Sequence, residues 1–214
     1  MILNECVNDI PWVDILSGVS SIATVLATIV AYRALNTWKK GALLEKRIDS
    51  LDHVSETIFI LYRNLCEVLI EVEVQNISIE LSNDDLSSEG KESEIKNYLV
   101  HLAYLDSKKL RELLNKVEPH IDELELSFSK LNRLDGRKQK GLHKSFDTIK
   151  NIYHKLVLRT QVLSYASTCE INDKLIARVH AVLEQNITEL QEELNTSKAN
   201  MTHYIEVLYK ILIS

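Results

Sequence analysis

The sequence predicts an all-α chain: one N-terminal transmembrane helix, then a cytoplasmic bundle of about four long antiparallel helices. Three observations lead there. The stretch Ile15–Tyr32 (ILSGVSSIATVLATIVAY) carries no charge over 18 residues. From Leu44 onward, apolar residues recur at alternating spacings of four and three, the period of an amphipathic helix. Turn-forming residues are scarce, with 5 Gly and 2 Pro in 214 residues, and no stretch alternates as a strand does.

The expected organisation is a short extracytoplasmic N-terminus (1–14), a transmembrane helix (15–35), a basic juxtamembrane segment (36–43) and a cytoplasmic helical bundle (44–214). Residues 1–14 hold Glu5, Asp9 and Asp14 and no Lys or Arg, so they lack the positive start of a secretory signal peptide. Eighteen residues of helix rise about 27 Å, and Trp12, Val13, Ala34 and Leu35 extend the run to a bilayer's hydrocarbon thickness. Arg33 snorkels to the interface. Arg33, Lys39, Lys40, Lys46 and Arg47 follow the span against Glu45 alone, which places the N-terminus outside the inner membrane and the bulk of the chain in the cytoplasm. Trp12, Tyr32 and Trp38 stand where interfacial aromatic anchors belong, with Arg33, Lys39 and Lys40 beside them.

The span has two unlike sides. Ser17, Ser21, Thr24 and Thr28 form a small, hydroxylated stripe, while Ile15, Val19, Ile22, Leu26 and Ile29 form a bulky one. Small residues four apart let helices approach closely in lipid, so the first stripe is the expected association face of a homo-oligomer. Ser and Thr are also tolerated in a lone span, because their hydroxyls can bond the helix's own carbonyls.

Beyond Gly41, the one flexible point of the juxtamembrane stretch, a helix is expected from Leu44 to about Ile79, along Leu51, Ile58, Tyr62, Leu65, Leu69 and Val72. The polar stretch Ser82–Ser93 reads as a surface loop. A further helix is expected from about Glu94 to Leu134, kinked or split by Pro119 near Glu118. The basic segment Leu134–Gly141 reads as a second loop. A helix from Leu142 to Cys169 and a last one from Leu175 to Leu212 complete the chain, with a break at Glu170–Asn172.

Chemistry is sparse. The net charge of −6 excludes the basic face that general nucleic-acid binding needs. Cys6, Cys66 and Cys169 form no metal or redox spacing and read as small buried residues. None of the 7 His belongs to a Glu-x-x-His or His-Glu-x-x-His motif, and no phosphate-binding glycine loop or nucleophile elbow occurs. His180/Glu184 and His203/Glu206 read as exposed polar pairs on a helix. No catalytic residue, metal ligand or cofactor is therefore expected. Arg137 and His143 have a spacing that resembles the Arg-x4-6-His motif of helical HEPN-type ribonucleases. Lys138 stands where that motif carries a polar Asn, Asp or His, and a solvated basic loop accounts for both residues.

The stretch IATVLATIVAYRALNTWKK, residues 22–40, resembles the start of small bacterial inner-membrane proteins with one N-terminal span and a Trp-Lys-Lys boundary, some of them antiphage-defence effectors. The two-faced span and the absence of catalytic groups lead to the expectation of a non-enzymatic membrane protein that self-associates and perturbs the inner membrane, with the lipid bilayer, a second copy and a cytoplasmic protein as partners. The alternative is a membrane-tethered scaffold or regulatory adaptor whose bundle recruits a cytoplasmic partner.

Overall fold

The computed structural model describes the backbone of residues 12–81, 88–135 and 140–213, with side chains from residue 20 onward except at 21, 80–94 and 134–139. Over these residues it is all helical: α1 Trp12–Leu81, α2 Ser88–His101, α3 Ala103–Asp135, α4 Lys140–Ala166, α5 Asp173–Leu183 and α6 Ile187–Ile213. The chain forms two compact units, residues 1–46 and 47–214.

In the first unit the described structure is the N-terminal part of α1. From Ile22 to Lys40 every side chain is exposed. The helix runs unbroken through Gly41, where a Cβ would meet nothing within 4 Å. The glycine is thus neither a hinge nor a packing notch.

The second unit is an antiparallel bundle. Its long members are residues 47–81 of α1 together with α3, α4 and α6. Cross-links between them set the directions. Asn64 and Glu71 of α1 meet Lys116 and Lys109 of α3, with the residue numbers running in opposite senses. Tyr62 and Asp52 of α1 meet Asn195 and Tyr209 of α6 in the same manner. Asn132 and Arg111 of α3 meet His143 and Ser164 of α4. The helices therefore alternate up and down, and each loop joins neighbours. The expected stripe reaches the core at Leu51, Leu65, Leu69 and Val72 of α1, fully buried with Leu124, Phe146, Leu156 and Met201. Leu44 is exposed and Tyr62 half-buried, whereas Leu61 and Ile152, outside the expected stripe, are fully buried.

Three expectations change. Pro119 neither splits nor ends α3, which passes through it. Proline removes the donor that would serve Asn115, and the adjoining carbonyl of Lys116 accepts a bond from Asn64 Nδ2 of α1 at 3.3 Å. Asn64 thus ties α1 to α3 beside the proline. The local departure lies instead at Leu102, between α2 and α3. There the one-turn bonds persist, Leu102 N to Tyr98 O and Asp106 N to Leu102 O, so the two helices nearly merge.

The expected last helix is two helices, broken at Glu184–Asn186 without Gly or Pro. Asn186 accepts a bond from the Glu189 backbone N–H at 3.2 Å and starts α6. Asn172 does the same for Leu175 at the start of α5. The bundle therefore has a short pair of helices, α2 and α5, packed on each other near one end, in addition to its four long members.

Candidate functional site

Three places in the molecule carry features that core packing alone does not require. The first is the exposed part of α1. Ile22 and Val30 are 63% and 65% exposed, and Val25, Leu26, Ile29 and Leu35 join them, so apolar surface faces outward on all sides. Of the expected association stripe, Thr24 and Thr28 are exposed, and each hydroxyl donates to the carbonyl one turn back, Thr24 to Ser20 and Thr28 to Thr24. Their polar atoms are thus satisfied within the helix, and the stripe presents small, largely apolar surface. The side chains of Ser17, Ser21 and Trp12 lie outside the described residues. Tyr32, Arg33, Trp38, Lys39 and Lys40 are all exposed. Among the described residues, no helix is long and apolar enough to cross a membrane. Residues 15–19 and 21 of the expected span fall outside the described side chains.

The second place is a buried polar cluster at the end of the bundle where α4 finishes. Arg159 lies on the apolar face of α4, between Leu156 and Leu163, and is completely buried. Its guanidinium donates to Asn76 Oδ1 of α1 at 2.6 Å and to the Val182 carbonyl at 3.2 Å, while Nε has no partner. Val182 lies in the last turn of α5, whose carbonyls lack helical donors, so Arg159 serves as that helix's terminator.

Burial pulls the Arg159 pKa down, to about 10, and the nearby Tyr98 and Asp106 oppose the change, so the cation persists at neutral pH. Tyr98 donates its hydroxyl to Asp106 at 2.9 Å. Burial lifts the Asp106 carboxyl above its ordinary range and the charge of Glu71 adds to this. The Tyr98 bond, Lys109 and Arg159 pull the other way. Polar groups of this kind fix how helices seat against one another and offer no reacting geometry.

The third place is a cleft of about 610 Å³ along the antiparallel seam of α4 and α6. Ser145 and Thr148 line one wall, and Glu189, Glu192, Glu193 and Ser197 the other. Lys144 stands on the α4 side. At one end the Tyr204 ring lies against the α4 backbone at Gly141, where a Cβ would collide with it.

The ribonuclease-like pair is not assembled in the described residues. Arg137 lies outside them. His143 is engaged structurally, with Nε2 3.0 Å from Asn132 Nδ2 and its ring edge-on to Phe128 at 5.6 Å. His180 does pair with Glu184, at 3.1 Å. His53 of α1 approaches Glu123 of α3 at 3.3 Å and ties the two helices together, while His120 meets the same Glu123 at 3.4 Å within α3. Cys66 and Cys169 are free and half-buried. Among the described residues no group of His, Cys, Asp or Glu could hold a metal ion.

Arg159, Asn76 and Asn186 went unread in the sequence. The signal for Arg159 was present, since its position continues the apolar series Ile152, Leu156, Leu163. Comparison with known proteins gives no match to any family model, curated protein or solved structure.

Proposed function

We propose that this chain is a membrane-anchored helical effector that acts by self-association and perturbation of a bacterial inner membrane. One observation carries the reading: residues 22–38 of α1 form a helix exposed on every side, apolar for most of its length and ending at Trp38, Lys39 and Lys40. A helix that is apolar all round is stable only when covered, by a protein core or by lipid. The second unit has its own core, which begins at Leu51 among the described residues.

In the bilayer the eight Ile, Leu and Val residues of Ile15–Tyr32 contribute roughly 2–5 kcal/mol towards insertion. The basic residues from Arg33 to Arg47 keep the bundle on the cytoplasmic side. The Ser17, Ser21, Thr24 and Thr28 stripe is the association surface, and its two described hydroxyls are already bonded, which suits close contact in hydrocarbon. The resemblance of residues 22–40 to small bacterial inner-membrane proteins, some of them antiphage-defence effectors, suggests the biological setting.

The test is inducible expression followed with a membrane-potential dye. Wild type should depolarise cells and form cross-linkable oligomers. Replacing the four stripe residues together with Leu should abolish both while leaving the chain membrane-bound. Depolarisation unchanged in that variant removes the stripe from the mechanism.

A second reading, a tethered adaptor, draws on Ile70, Val74 and Ile77, an exposed apolar stripe at helical spacing on the bundle's outer surface. In that case an unrelated span in place of residues 15–35 preserves function, whereas the effector reading requires its loss.

A further inference from the structure

We propose that the cleft between α4 and α6 is a binding site for a linear aliphatic polyamine, an inference that stands apart from the membrane reading. Ser145 and Ser197 line it, and they are only 7% and 4% exposed. A helical Ser or Thr commonly turns its hydroxyl to the carbonyl one turn back. Thr148 does so to Lys144 and Thr160 to Leu156. Ser145 and Ser197 do not, and among the described residues neither hydroxyl has another partner. Both oxygens open onto the cleft surface, so the pair is placed to bond what enters it.

The charge of the walls selects the ligand. Glu189 and Glu192 have no ion-pair partner among the described residues, and Glu193 reaches Lys155 only at 4.0 Å. Lys144 is the single cationic side chain in the lining. The surplus is negative, so the occupant is a cation.

A compact metal ion does not fit, because no cluster of donors there could hold one. Carboxylates three and four positions apart on a helix repeat about every 5–6 Å. That matches the span between the amines of a three- or four-carbon diamine. Each ammonium then meets one turn of α6, with Ser145 and Ser197 accepting its remaining N–H groups. The ring of Tyr204 closes one end of the cleft.

The test is isothermal titration of the full-length chain in detergent with spermidine. Magnesium and a lysine-rich peptide are run in parallel. Saturable one-to-one binding of spermidine is expected. The double variant Glu189→Gln/Glu192→Gln should weaken it at least about tenfold, and Ser197→Ala severalfold. Both should keep the wild-type helical spectrum, because the two carboxylates are exposed and Ala fits wherever Ser does.

Four results would overturn the assignment: no saturable binding, equal affinity in the double variant, full competition by magnesium at matched charge, or tighter binding of the peptide. The last would make the cleft a protein-docking site.

Discussion

Substituting Arg159 by Met tests the internal logic of the bundle. The Met side chain keeps most of the stem's volume, so packing against Leu156 and Leu163 survives and the loss is confined to the guanidinium. Two acceptors are then stranded. The Val182 carbonyl bond is buried, and among the described residues Arg159 is its donor. Asn76 Oδ1 is half-buried and loses a 2.6 Å bond. Hydrogen bonds to a charged donor are worth about 1.5–3 kcal/mol each, and a stranded buried acceptor costs about 1–3 kcal/mol.

Against this, the variant removes a desolvated cation whose Nε is unbonded, which returns about 1–3 kcal/mol. The balance is a destabilisation of about 2–4 kcal/mol. For a chain of this size it lowers the melting temperature by roughly 4–16 °C. Thermal unfolding followed by circular dichroism in detergent measures it. Hydrogen exchange should show the protection loss concentrated in α5, whose last turn Arg159 terminates. A variant that melts at or above wild type, with α5 as protected as before, would refute the reasoning.

The remaining predictions concern the same end of the bundle. Asp106 is an acid whose pKa is raised on folding, so the folded state holds its proton to higher pH than the unfolded chain. Stability should therefore fall as pH rises from the ordinary carboxylate range through the raised folded value. Asp106→Asn, which can still accept from Tyr98, should flatten that stretch of the stability–pH curve in urea titrations. An unchanged slope contradicts the assignment. Asn186→Ala removes the cap of α6 and should cost about 1 kcal/mol, read as a lower urea midpoint with unchanged slope.

The bundle was largely legible from periodicity. Leu51, Ile58, Leu65, Leu69 and Val72 of that series lie on the buried face of α1, with Tyr62 half-buried at its edge. The split between α5 and α6 was hidden because Leu183, Ile187, Leu190 and Leu194 keep helical spacing across it. The break comes from Asn186 capping one helix and Arg159 holding the end of the other, and the second partner is distant in sequence. Of the two outcomes expected at Pro119, a kink or a split, the split does not occur, and α3 runs through the proline beside its contact with Asn64 of α1.

The Arg159 cluster and the α4–α6 cleft are products of pairing between helices. Sequence exposes their ingredients, a polar residue in an apolar series and a Gly141–Ser145 small pair, without showing what faces them. The exposed apolar segment of α1 is the reverse case, because composition alone marks it.

Membrane integration of that segment is the centre of the account. The direct measurement is the fraction of full-length chain that stays with sealed bacterial membranes after alkaline carbonate and high-salt washing. A segment inserted as a helix resists both, because its apolar contacts with lipid do not depend on charge. The account predicts that nearly all of the chain remains in the pellet under both washes. Release of most of the chain into the supernatant by either wash would contradict it.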